Sequence, residues 1–259
     1  MQLLNKSLKR LLRWRNKVKK INKGIIFALI YTAIMGVGMY ISKSVFNVSY
    51  ADQKIVVTIL PVEILLSILS VYAYLKYYKN TAFKKLKFTN SFIIYSIFML
   101  LMFVLYIISG AIKYHKNILL YVLITNFLVG FSEELMYRGV VLSSFLEKYN
   151  VQKSILYSSI LFALLHSVNI LSGSSITNVS IQLVLTFIYG LTTACFRLKV
   201  NNILPFIFYH FIWDLMVSTT PFVESYPLSI VWNLLLGILL TIVMLKDILK
   251  NNKSNKLMN

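Results

Sequence analysis

The chain has 259 residues, 58% of them hydrophobic, with a mean hydropathy of +0.73. Soluble domains hold about 45–50% apolar residues even with glycine counted, so a soluble globular protein is excluded. The formal net charge of +19 sits in short basic runs between apolar blocks, the pattern of cytoplasmic loops rather than of a nucleic-acid-binding surface.

Residues 1–23 form a basic amphipathic N-terminal segment, with nine Lys and Arg side chains and with Leu4, Leu8, Leu11 and Val18 at helical spacing. The pattern predicts a helix lying on an anionic inner leaflet, each cation contributing about 1 kcal/mol near the surface. A disordered basic tail is the alternative. A cleaved signal peptide fits poorly, because the basic region is too long and no small-residue cleavage site follows the apolar stretch.

Apolar blocks then follow at 25–41, 55–75, 91–111, 118–145, 154–171, 176–196, 203–218 and 229–245. Each approaches or exceeds the roughly 17–25 residues that cross a bilayer, the fifth and seventh being marginal. Alternate connecting segments, starting with residues 1–23 and ending with the basic C-terminal tail 246–259, hold 22 Lys and Arg; the other connections hold four. The remaining basic residue, Arg138, lies inside the fourth block. This asymmetry predicts a multi-pass cell-membrane protein with cytoplasmic N- and C-termini. Gly and Pro are scarce, at nine and four, so residues 24–245 read as one transmembrane domain without a flexible linker. Pro205 marks the start of the seventh helix, and Pro221 and Pro227 fall in the loop before the eighth. The single cysteine, Cys195, rules out an internal disulfide. Near a span end, it reads as a small packing residue, with acylation as the alternative.

Three polar clusters interrupt the apolar blocks: Glu133-Glu134-x-x-x-Arg138, Phe162-x-x-x-His166 and His210-x-x-x-Asp214. A charge at a membrane helix centre costs about 2.5–3.5 kcal/mol on insertion scales, so these groups must face one another or a wet cavity. Glu134 and Arg138 stand in the favourable order for a helical ion pair, which assigns them a structural role. Glu133 points about 100° away, beside Tyr137, and is the reactive acid. The alternative is that both glutamates compensate Arg138. Gly130 and Gly139 flank the cluster and permit close helix packing. Asp214, one turn from His210, can orient the imidazole or join it at a metal. Glu63, a further membrane acid, reads as lining a wet vestibule, and His115 falls in a loop. The predicted fold class is all-α: a polytopic membrane helical bundle of about eight transmembrane helices enclosing an intramembrane polar cavity.

In order and spacing, these motifs resemble those of the CPBP family, which holds the type II CAAX prenyl proteases and bacterial relatives called Abi proteins, some linked to bacteriocin immunity. Glu134-Leu135-Met136-Tyr137-Arg138-Gly139 is similar to the first family motif, and Leu161 to His166 to the second. The run from Gln182 through Tyr189-Gly190 and Leu204-Pro205 to His210 is similar to the approach to the third. The resemblance covers about 118–217. It implies an eight-helix intramembrane endopeptidase with a conical, cytoplasm-facing cavity, in which Glu133 and His166 activate water while His210 and residue 214 stabilise the oxyanion. Position 214 departs from one form of the pattern, being Asp rather than Asn. An amide donates a hydrogen bond and an ionised carboxylate does not, so Asp214 is protonated, orients His210 or ligates a cation. Glu133, His166, His210 and Asp214 are also a donor set that could hold zinc with an open position, although no H-E-x-x-H is present; the cofactor is otherwise unknown. No G-x-S-x-G supports a serine nucleophile.

The partners expected are membrane lipid and a peptide or membrane-protein substrate, with no nucleic acid. The richness in Lys, Asn, Ile and Tyr points to an A+T-rich bacterial genome, where prenylated substrates are not expected; the resemblance then implies peptide pheromones, bacteriocins or leader peptides. Two other function classes compete. One is a non-catalytic membrane interaction or bacteriocin-immunity protein; the other is an ion-coupled transporter, which would be expected to show a sequence repeat that is absent here.

Overall fold

A computed structural model describes the backbone of residues 2–108, 116–219 and 227–257, all of it helix and connecting turns apart from one isolated bridge. The helices are α1 (Gln2–Ser44), α2 (Ile55–Tyr77), α3 (Asn90–Ile108), α4 (Leu119–Glu134), α5 (Leu142–Leu146), α6 (Val151–Leu165), α7 (Ile176–Val200), α8 (Leu204–Thr219) and α9 (Pro227–Leu257). A π-helical segment, Leu135–Val141, joins α4 to α5 in one continuous rod, and a 3₁₀ segment, His166–Ser172, prolongs α6. Eight helical rods result among the described residues. His115 and Pro221 lie outside them.

Local chemistry sets several helix ends. Asn150 and Ser175 accept hydrogen bonds from the Lys153 and Asn178 backbone N–H groups at 2.9 and 3.1 Å, capping α6 and α7. Asn201, with φ of 64°, ends α7 in a left-handed conformation that asparagine tolerates. Residues 2–22 of the basic segment continue into the first apolar block as one unbroken helix.

Among the described residues, six rods are long and apolar enough to cross a membrane: Lys23–Ser44, Ile55–Tyr77, Asn90–Ile108, Leu119–Leu146, Val151–Ser172 and Ile176–Val200. The seventh expected span is shorter, an apolar helix over Leu204–Ser218. The eighth expected block falls within α9, part of whose side chains lie outside the described residues. Large apolar side chains such as Leu29, Ile68, Leu100, Leu120 and Val184 point outward, as they do when the surroundings are acyl chains rather than water.

The rod of α4, the π segment and α5 is central. It packs against α2 on one side and α8 on another, while α6 packs on α7 and α7 on α9. Leu135, Met136, Tyr137, Val140 and Val141 of the π segment are all buried. Buried serines, including Ser70, Ser132, Ser144, Ser158 and Ser159, occupy the helix interior, where small side chains let backbones approach. At one end of the bundle the α2–α3 loop is joined to the α7–α8 turn. Lys84 N–H donates to Asn201 O at 3.1 Å, Lys87 N–H to Val200 O at 2.9 Å and Ile203 N–H to Ala82 O at 3.0 Å, around the antiparallel bridge of Phe83 with Asn202.

Candidate active site

Glu133 and Glu134 end α4 at the point where the helix widens into the π segment. There the Leu142 N–H reaches back five residues to the Tyr137 carbonyl, so the i, i+4 geometry expected of the whole block is interrupted immediately after the paired acids. Such widened turns recur at functional sites because they re-aim side chains within a helix. The Glu134–Arg138 pair forms nonetheless, Arg138 Nε lying 3.3 Å from Glu134 Oε2. Arg138, only 1% exposed, also donates from Nε and Nη2 to Thr193 Oγ1 of α7 at 2.9 and 2.5 Å. Its guanidinium carbon sits 4.0 Å from the centre of the Phe162 ring, a cation–π contact that is stronger away from water.

α8 brings His210 to the two acids. His210 Nδ1 lies 3.4 Å from Glu134 Oε1, and Nε2 lies 3.4 Å from Asp214 Oδ2 and 3.8 Å from Glu133 Oε2. These are ion-pair separations; the Nδ1 contact lacks hydrogen-bond alignment. Gly130 permits the approach. A Cβ there would stand 3.0 Å from both Ile207 O and Phe211 N and 3.3 Å from His210 Cβ, so only glycine lets α4 and α8 meet beside His210. A Cβ on Gly139 would press Leu135 and Tyr74 at 3.2 Å. Both glycines expected to flank the cluster therefore sit at close contacts.

Phe162 links the second motif to the other two. Its ring packs edge-on against Tyr137, His166 and His210 at centroid distances of 5.3, 5.3 and 6.1 Å. Both imidazoles thus share one aromatic neighbour. His166 opens the 3₁₀ segment, and its Nδ1–H donates to the Phe162 carbonyl at 3.2 Å. That bond fixes the tautomer and leaves the Nε2 lone pair open. No ion pair joins His166 to Glu133 among the described residues; the imidazole nearest Glu133 is His210.

Glu63 is fully buried rather than lining a vestibule. Ser132 Oγ donates to Glu63 Oε2 at 3.2 Å and lies 2.6 Å from Tyr31 Oη. With Glu63, half of the eight acidic residues in the sequence gather around Glu133, against the single guanidinium of Arg138. Several carboxylate oxygens, among them Glu133 Oε2 and both of Glu134, are buried without a hydrogen-bond donor from the described residues. Buried acceptors are ordinarily satisfied; Glu134 Oε2 has the charge of Arg138 at 3.3 Å, and Glu133 Oε2 has His210 Nε2 at 3.8 Å. Thr193, Ser132 and Tyr31 were not legible as site residues, since hydroxyl side chains are common in membrane helices and carry no spacing signal.

Among the described residues no group of three or more His, Cys, Asp or Glu is arranged to hold a metal ion. The four candidate zinc ligands do not converge as a set, because His166 stands apart from the carboxylates around His210. An open cavity of about 460 Å³ lies elsewhere, between α1 and the 3₁₀ segment, lined by Leu29, Ala33, Gly36, Val37, Val168 and Leu171 among others. It contributes none of the residues named above.

Residues 115–216 match the family described as type II CAAX prenyl endopeptidase Rce1-like, close to the stretch 118–217 that carries the motif resemblance. No curated protein matches the chain. Glu133, Glu134, Arg138, Phe162, His166, His210 and Asp214 all fall inside the matched stretch, so residues 115–216 carry a domain of the Rce1-like type II CAAX prenyl endopeptidase family.

Proposed function

We propose that the protein is an intramembrane endopeptidase that hydrolyses a peptide bond of a membrane-proximal peptide or protein. The observation that carries this reading is the imidazole of His210 standing within 3.4–3.8 Å of three carboxylates inside otherwise apolar helices. Family membership implies proteolysis, and convergent acids and imidazoles are the groups that acid–base hydrolysis requires.

Glu133, with Oε2 lacking a protein donor, takes a proton from the attacking water. His166, whose Nδ1–H is held by the Phe162 carbonyl, assists that transfer through Nε2, and the proton that Glu133 has taken passes to the leaving amine. His210 faces the developing oxyanion. Carboxylates stand beside both ring nitrogens, Glu134 near Nδ1 and Asp214 near Nε2, and their charge holds the ring in place. Of the three roles open to Asp214, orientation of His210 is the one that the 3.4 Å separation supports. Eight membrane passages with both termini cytoplasmic, set by the 22-to-4 distribution of basic residues, complete the reading. The α9 rod serves as the eighth passage, and the protein belongs in the cell membrane.

Glu133→Gln keeps the side-chain volume and removes the base. Peptides released by cells carrying wild-type or Glu133→Gln protein at equal membrane levels are compared by mass spectrometry. Expected is the disappearance of a defined set of fragments, their formation slowed by about 10²–10⁴-fold, the worth of a positioned acid–base group. Persistence of every fragment, with the cellular phenotype intact, overturns the enzymatic reading in favour of an immunity or interaction protein.

A further inference from the structure

The oxyanion is short of one hydrogen-bond donor if Asp214 orients His210, because a carboxylate has none to give. The α1–α2 loop brings a donor to the same region. Tyr50 is pinned there at its backbone, its N–H donating to the carbonyl of Ser172, the last residue of the 3₁₀ segment, at 3.1 Å. Its hydroxyl is pinned as well: Gln182 Nε2 of α7 donates to Tyr50 Oη at 2.9 Å. Gln182 is held in turn by Asn169, whose Nδ2 donates to Gln182 Oε1 at 2.8 Å.

The relation to the site follows from the local helix type. Asn169 is three residues beyond His166 within the 3₁₀ segment, where side chains three apart eclipse one another. Asn169, buried at 3% exposure, therefore stands on the His166 face and carries the chain of amides from there to Tyr50. Asp214 and Glu133 are both among the electrostatic neighbours of the Tyr50 phenol. The Gln182 N–H occupies a lone pair of the phenol oxygen, so the hydroxyl hydrogen is not spent on that amide. Burial pushes the phenol up to about 12, against the opposing pull of the Gln182 hydrogen bond, and the proton is retained at neutral pH.

We propose that Tyr50 is a further catalytic residue that donates its phenolic O–H to the scissile carbonyl oxygen as negative charge develops, with Gln182 and Asn169 as its positioning residues. This rests on the endopeptidase reading. No bond is made or broken at Tyr50; its hydrogen bond shortens as the tetrahedral intermediate forms. The phenol supplies what an amide at position 214 would otherwise give.

The test uses full-length protein in proteoliposomes and a synthetic library of membrane-inserting peptides, with cleavage read by mass spectrometry and rates measured on the fastest-cut member. Tyr50→Phe keeps the ring and removes the donor, so kcat falls by about 10²-fold, the effect of deleting one oxyanion donor, while KM stays within about threefold. Gln182→Leu lowers kcat in the same direction by a smaller factor. In an Asp214→Asn background the new amide substitutes for the phenol, and Tyr50→Phe then costs only about threefold, a non-additivity expected of groups serving one atom. An unchanged kcat for Tyr50→Phe, an effect on KM alone, or equal losses in both backgrounds overturns the proposal. If wild-type and Glu133→Gln proteins treat the library alike, the endopeptidase reading falls and takes this proposal with it. If Glu133→Gln is inactive and Tyr50→Phe is not, only the role of Tyr50 falls.

Discussion

Arg138 illustrates how one side chain is stabilised at membrane depth. A guanidinium has five N–H donors in a rigid fork, and here the fork is shared between Glu134, Thr193 and the face of Phe162. Removing one partner of such a buried pair costs about 3–5 kcal/mol, because the other charge is left unmatched. Arg138→Met is therefore expected to lower the thermal unfolding midpoint in detergent sharply. Glu134→Gln combined with Arg138→Met should recover part of the loss, since neither charge then remains. The ion pair was legible in the sequence from its spacing and its acid-first order. The contacts to Thr193 and Phe162 were not, because they join helices far apart in the chain. The same applies to Glu63: its depth was readable, while its burial against Ser132 depends on how α2 meets α4.

At the scale of the helices, the site is built on departures from regular α geometry. The π segment follows Glu134 and the 3₁₀ segment begins at His166, so two of the three motifs stand where the hydrogen-bonding pattern changes. Hydrophobic periodicity reports that a helix exists but not its local pitch, which explains why both blocks read as uniform helices. The contact between α4 and α8 at Gly130 was legible in outline, since a glycine beside buried acids signals close packing. Gly130→Ala sets a methyl group 3.0 Å from two backbone atoms of α8, which forces the helices apart. The expected outcome is a loss of peptide cleavage of at least about tenfold, as sub-ångström to 1 Å misplacements near a reacting centre produce. The protein should still reach the membrane, as judged by immunoblot of the membrane fraction.

For the molecule as a whole, apolar blocks and basic loops were read together, and the helical rods follow the block order. The reading was weakest where residues distant in the chain are brought together. Neither the joining of the α2–α3 loop to the α7–α8 turn nor the anchoring of Tyr50 on Ser172 leaves a mark in composition, because both run through backbone groups that every residue has. The charge distribution makes a direct prediction about orientation. A fluorescent protein fused after Asn259 should fold and fluoresce, and alkaline phosphatase at the same place should stay inactive. The reverse pair of results would invert the proposed topology.

The joined loops at one end of the bundle carry a mechanical consequence. Separating Ala82, Lys84 and Lys87 from residues 200–203 breaks several backbone hydrogen bonds together, each left unmet at a cost of about 1–3 kcal/mol if it stays out of water. Within α8, His210 and Asp214 lie progressively farther from that fastening. A tilt of α8 about its fixed foot moves Asp214 more than His210, yet their contact, with both partners on α8, travels with the helix. The His210 contacts with Glu133 and Glu134 cross to α4, so a peptide wedged between α4 and α8 would part the imidazole from the α4 acids, and hydrolysis would await the return of the helix.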